Sequence, residues 1–169
     1  YTSLHNHTEY SNLRLLDCIN KVEDLIKRAY ELGLNGVAIT DHEALSAHIK
    51  ALKFYKQQCK DDEQWKNFKL ILGNEIYLCR NGLSAESYQK GEKFPHFILL
   101  AKDAEGHKQL RELSTRAWSH SFTMFMTRVP TYYKDIEEVI KPNPGHIVAS
   151  SACIGGWLGI CKNNGAEKN

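Results

Sequence analysis

Gly36-Val37-Ala38-Ile39-Thr40 is a continuous apolar run, too short for a helix and rich in β-branched residues. Such a run reads as a strand buried on both faces, the usual condition of strands in parallel sheets. It is bracketed by two amphipathic stretches. Before it, Asn20 to Leu34 sets Val22, Leu25, Ile26, Ala29, Tyr30 and Leu32 at helical spacing against a charged face. Asn20 is the expected N-cap, Glu23 its capping-box partner, and Gly33 the helix terminator. After the run, Ala44 to Cys59 puts Leu45, His48, Ile49, Leu52 and Tyr55 on one stripe. A helix, a buried strand and a second helix joined this closely predict an α/β fold with a mostly parallel sheet.

The rest of the chain continues the alternation. A short first strand from Tyr1 to Leu4 ends at His5-Asn6-His7, and Tyr10 to Cys18 is a loop. Lys60 to Lys66 reads as a polar loop and Phe68 to Leu78 as a third strand, with Gly73 a bulge or close approach. Arg80 to Phe94 reads as a surface hairpin or loop. Pro95-His96 opens a fourth strand through Ala101, and Asp103 to Trp118 is a third amphipathic helix. Ser119 to Pro130 carries no clear period, and Tyr132 to Ile140 is a short helix broken by Pro142 and Pro144. Ile147 to Ser150 is a fifth strand running into Ser151-Ala152-Cys153, Gly155-Gly156 is a turn, and Trp157 to Cys161 is a short segment. The polar tail from Asn163 to Asn169 reads as a turn or disordered end.

A chain of 169 residues suffices for one domain, expected over residues 1–169, but not for a complete eight-stranded barrel, which needs about 250 residues. A net charge of +2 is too mild to argue nucleic-acid binding by itself. No apolar run is long enough to span a membrane, and these 169 residues contain no basic-then-apolar leader pattern. The five cysteines are irregularly spaced without a Cys-x-x-Cys pair. That pattern points to reduced thiols and a cytoplasmic protein rather than a disulfide framework.

Ligand-type residues recur at the strand ends. His5 and His7, spaced i, i+2, face one side of a strand. Asp41 and His42 follow the second strand, Glu75 lies inside the apolar third, His96 opens the fourth and Cys153 follows the fifth, with Asp17 from the first loop. Each has an ordinary reading alone. Cys153 would be a small buried hydrophobe, His96 a strand-edge histidine, and Asp17 a helix opener. A buried Glu75 is costly unless paired or metal-bound. Together they mix imidazole, carboxylate and thiolate in the way that suits Zn or Mn, with Mg or Fe as the other candidates. Asp41 is expected to orient a ligating imidazole from behind. His48 faces the core or a neighbour, His107 is an exposed helix residue, and His120 and His146 belong to the surface or loops.

His5-x-His7, Thr40-Asp41-His42, Gly73-x-Glu75 and the strand-opening His96 resemble the successive motifs of the polymerase and histidinol phosphatase (PHP) superfamily. Leu99-Leu100-Ala101-Lys102-Asp103, with Glu105-Gly106 and Lys108, and also Ser150-Ser151-Ala152-Cys153-Ile154-Gly155-Gly156, resemble segments of the alpha subunits of bacterial or phage replicative DNA polymerase III. The resemblance implies a distorted (β/α) barrel with metals at its strand ends. His5, His7 and Glu75 would serve one metal position, and His42, His96 and Cys153 neighbouring ones, with Asp17 where relatives carry His or Asp. His7 and Glu75 are the residues it assigns to catalysis. The family pattern closes with an Asp and a His that have no counterpart before Asn169, so the barrel is expected to be incomplete at its C-terminal end. By the same resemblance the parent protein is a DNA-directed DNA polymerase working in the cytoplasm with DNA and other replisome subunits. Its polymerase carboxylates belong to a later domain. The expected activity of this domain is metal-dependent phosphoester hydrolysis, such as 3′–5′ proofreading, or a structural remnant of it. Two alternatives stand beside that reading: a stand-alone phosphoesterase for a small phosphate monoester, and a non-catalytic scaffold for DNA and polymerase subunits.

Overall fold

The computed structural model describes residues 1–13, 16–89, 94–123 and 126–163. Parts of the loops expected at 10–18, 80–94 and 119–130, and the tail after Asn163, lie outside the described residues. Strands alternate with helices, and the contacts divide the chain into two compact units, Tyr1–Asn74 and Glu75–Asn169.

In the first unit, β1 (Thr2–Ser3) pairs in parallel with β2 (Gly36–Ile39). β2 pairs in parallel with the first part of β3 (Lys69–Cys79), from Gly36 opposite Lys69 to Ile39 opposite Leu72. All of β2 is buried, as its unbroken apolar run requires. Helices α1 (Val22–Glu31) and α2 (Ala47–Asp61) pack with it. Val22, Ile26, Val37, Ile39, Ala47 and Ala51 form the core, closed by Trp65 and Phe68.

Three sequence expectations are corrected here. The N-cap of α1 is Lys21, not Asn20. The backbone carbonyl of Asn20 instead accepts the Glu9 amide at 2.8 Å, and Glu23 turns to Lys50 at 2.8 Å. Gly33 does terminate the helix, with φ of 72°, a conformation in which glycine is the least strained residue. On α2 the buried stripe is Ala47, His48 and Ala51, while Ile49 is 61% exposed. The stretch expected as a polar loop holds the end of α2 and a 3₁₀ turn, Glu63–Asn67, started by the Asp62 carboxylate accepting from the Gln64 amide. That turn buries Trp65, which stacks on Tyr30 with ring centres 3.9 Å apart. The Tyr55 hydroxyl donates to the Phe68 carbonyl at 2.8 Å, and burial pushes its phenol up to about 12.

In the second unit, the end of β3 pairs in parallel with β7 (Pro130–Tyr132), and the Leu78 amide donates to the Pro95 carbonyl just before β4 (His96–Ala101). β8 (Ile147–Ser151) runs antiparallel to β4, from Phe97 opposite Ser151 to Ala101 opposite Ile147. Helix α4 (Ala104–Ser119) buries Leu110, Leu113 and Ala117. Its N-cap is Asp103, whose carboxylate accepts from the Gly106 amide. The unit also holds α3 (Ala85–Gln89), where a loop was expected, a hairpin of β5 (Phe122–Thr123) and β6 (Thr127–Arg128), α5 (Tyr133–Ile140) and the short α6 (Trp157–Asn163). No helix among the described residues is long and apolar enough to cross a membrane.

Candidate metal centre

Within the first unit, the chain leaves β1 across the C-terminal end of β2. Asn6 fixes that crossing: its side-chain amide donates to the carbonyls of Ser3 and Ala38 at 3.2 and 3.1 Å, and its backbone N–H donates to the Thr40 hydroxyl at 2.9 Å. The histidines on either side of it then share a cleft of about 350 Å³ with Asp17, Cys18 and Leu25. His5 Nε2 lies 3.1 Å from His7 Nε2. His7 Nδ1 is bonded to Asp17 Oδ2, and the same oxygen lies 3.6 Å from His42 Nε2. The rings of His7 and His42 meet edge-on at 4.3 Å. One candidate ligand atom from each of His7, Asp17 and His42 falls within 4.8 Å of the others. Two imidazoles and a carboxylate converging in this way suit a borderline divalent cation.

Asp41, the neighbour of His42, does different work. It is fully buried and accepts from the Thr8 amide at 2.6 Å, the Thr8 hydroxyl at 2.8 Å and the Ser11 hydroxyl at 2.8 Å. The Ser11 hydroxyl oxygen in turn accepts the His42 amide at 3.2 Å. Asp41 therefore holds the backbone that follows His7 and, through Ser11, the backbone of His42. The part expected of it, orienting a ligating imidazole, would pass through these contacts. Asn74 secures the same turn, donating to the Asp41 carbonyl at 2.9 Å. Glu43, immediately after His42, has φ of 52°. A non-glycine residue there carries roughly 1–2 kcal/mol of strain, of the kind that collects at functional sites.

Within the second unit, Glu75 is 1% exposed, and its Oε1 lies 2.6 Å from His96 Nδ1. Cys153 Sγ approaches the same nitrogen at 3.5 Å. A nucleophilic relay would need thiol and carboxylate on opposite nitrogens of the imidazole ring. Here both approach one nitrogen, and the three candidate ligand atoms lie within 4.8 Å of one another. The Gly155 amide donates to Cys153 Sγ at 3.3 Å and its carbonyl accepts the His96 amide at 3.1 Å. A Cβ at Gly155 would make ordinary van der Waals contact with both side chains, at 3.4–3.5 Å. Cys153 is exposed, not the buried hydrophobe that a solitary cysteine suggests.

The remaining histidines take structural places. His48 is buried with its Nε2 2.9 Å from the Gly73 carbonyl. His107 is half-buried rather than exposed, and burial pushes its imidazole below the ordinary value. His120 lies 3.4 Å from Asp135, and His146 2.7 Å from Asp103. Thr8, Ser11, Asn12 and Asn74 were not singled out from the sequence. Short polar residues in loops carry no periodic signal.

The PHP domain family model matches residues 3–169. A DNA-directed DNA polymerase of Bacillus phage SPbeta is 48% identical over 159 residues, covering 92% of this chain. A DNA polymerase III subunit alpha of Helicobacter pylori (strain ATCC 700392 / 26695) is 36% identical over 169 residues, covering 100% of it. The chain spans 12% of the length of each of these relatives. Among solved structures, an amidohydrolase from Chromobacterium violaceum with bound sulfate and no metal is similar at a TM-score of 0.42 and 16% identity, covering 66% of this chain and 32% of that one.

Proposed function

Because the chain belongs to the PHP domain family, we propose that it is a metal-binding phosphoesterase domain of a DNA polymerase III alpha-type protein. His7, Asp17 and His42 hold one divalent cation, with His5 beside them. Glu75, His96 and Cys153 hold another. The observation that carries this reading is the convergence of one ligand atom from each member of each trio to within 4.8 Å. The relatives named as DNA polymerases support placing the domain in a replicative protein. DNA and replisome subunits are then its partners, and the cytoplasm its compartment.

Zn or Mn is the metal that imidazole, carboxylate and thiolate donors favour. When bound, such ions lower the pKa of a water and draw charge from phosphate oxygens. The chain's own residues prepare the place. His7 is the hub of the first trio, touching His5, Asp17 and His42. Glu75 brings a carboxylate to the second from a position where water reaches it poorly. Asp41, Thr8 and Ser11 keep the His7 and His42 backbones at fixed separation, and Gly155 aligns Cys153 with His96. His7 in the first trio and Glu75 in the second are the residues we assign to catalysis, each within its own trio.

Elemental analysis after incubation with Zn or Mn, on protein purified without a metal-affinity step, tests the binding. Metal per chain near zero would sink it. Exonuclease and phosphomonoesterase assays with the loaded protein then test the chemistry. Hydrolysis of DNA 3′ ends supports proofreading, and hydrolysis of small monoesters alone supports a stand-alone type of phosphatase. Bound metal without hydrolysis identifies a scaffold.

A further inference from the structure

Asp17 is the least protected ligand of the first trio. Its side chain is 33% exposed and sits in a loop whose Leu13, Leu16 and Ile19 also face solvent. Burial of these three side chains therefore contributes little to fixing this carboxylate. The order comes from Asn12. Its Oδ1 accepts the amides of both Asp17 and Cys18, at 2.9 and 3.1 Å, while its Nδ2 donates to the Cys18 carbonyl at 2.6 Å. Cys18 is tied in turn to the backbone of His7, its Sγ lying 3.1 Å from the His7 carbonyl oxygen. One half-buried side chain thus closes the loop on itself and sets where Asp17 leaves it, beside His7 and His42.

We propose that Asn12 is a positioning residue for the metal site, acting through Asp17. This deepens the metal-binding reading above and rests on it. Asn12 is not itself a ligand, because both ends of its amide are engaged by the Asp17–Cys18 backbone. The clamp needs an acceptor and a donor on one short side chain. Alanine supplies neither, aspartate only the acceptor. Groups that orient metal ligands from behind cost roughly 10–100-fold in metal affinity when removed.

The test is competitive titration of the full chain with Zn and Mn against a chromophoric chelator, with amide hydrogen exchange at residues 17 and 18. Asn12→Ala weakens metal binding by about 10–100-fold and speeds exchange at both amides, with little change in melting temperature. Asn12→Asp, which keeps the acceptor, recovers part of both. Unchanged metal affinity in Asn12→Ala overturns the proposal. If the parent chain takes up no metal at all, the metal-centre reading fails, and amide exchange decides the clamp. Protection at residues 17 and 18 that survives Asn12→Ala overturns it. Protection lost in Asn12→Ala and retained in Asn12→Asp upholds it.

Discussion

His7 touches more of the first cluster than any other candidate ligand: His5 through Nε2, Asp17 through Nδ1, and the ring of His42 at its edge. Its removal should cost the cation of the first trio, so His7→Ala should retain about half of the parent's metal per chain by elemental analysis, the ion of the Glu75–His96–Cys153 trio. His107 is the control. It lies on α4 outside the three-residue groups, so His107→Ala should bind metal as the parent does. Equal loss in both variants would show that metal uptake is not specific to the cluster. Most of the candidate ligands were legible from the sequence because they sit where a recognisable strand begins, ends or is interrupted: His5 and His7 after β1, His42 after β2, Glu75 within β3, His96 at the start of β4. The supports were not. Asn12, Thr8 and Ser11 act through local hydrogen bonds to backbone or carboxylate, and no spacing rule marks them. For Asp41 a supporting place behind a ligand is expected from the sequence, but its Thr8 and Ser11 partners carry no sequence signal.

Elements were legible where periodicity was unbroken. β2, β4, α1 and α4 lie within three residues of their expected bounds at each end. The misses have physical causes. Trp65 is a lone aromatic among charged residues, so the turn that buries it looked polar. β8 is mostly exposed, and its antiparallel pairing with β4 is invisible to a burial pattern. The start of α4 yields two predictions. Alanine in place of glycine inside a helix ordinarily stabilises by about 1 kcal/mol. A Cβ on Gly106, however, would lie 2.1 Å from the His146 carbonyl oxygen. Gly106→Ala should therefore destabilise, by about 1–3 kcal/mol in a denaturant titration. A stabilised variant would mean that the His146 backbone is not packed against α4.

Asp103, at the same helix end, is held below the usual carboxylate range by the Gly106 amide and by His146. Its folded pKa is depressed, so its stabilisation is complete above the unfolded value of about 3.8. It is lost as pH falls through the folded value. Asp103→Asn keeps a capping oxygen but removes this titration, and it should flatten the acid limb of a melting-temperature profile below pH 4 by a small amount. An acid limb identical to the parent's would show that the ionised carboxylate contributes nothing there.

For the whole molecule the decisive group is Glu75, a carboxylate 1% exposed in an eleven-residue strand. Burying a carboxylate is expensive unless charge and hydrogen bonds compensate it. His96 supplies part of the compensation, and a cation bound by the Glu75–His96–Cys153 trio would supply more. Such a cation binds the native chain and not the unfolded one, so it stabilises by mass action. The gain is about 2.7 kcal/mol when free metal is a hundredfold above its dissociation constant. In a chain of this size that corresponds to a melting temperature higher by on the order of 5–10 °C. Chelation near neutral pH should remove the difference, and Glu75→Gln should lose the part of that sensitivity which the Glu75–His96–Cys153 trio carries, because the neutral amide is a poor ligand and imposes no buried charge. The two variables separate the causes. If the parent melts at the same temperature with and without chelator, metal plays no part in holding this fold. If Glu75→Gln stays as sensitive as the parent, the stabilising ion is held elsewhere, and the carboxylate is sustained by His96 alone.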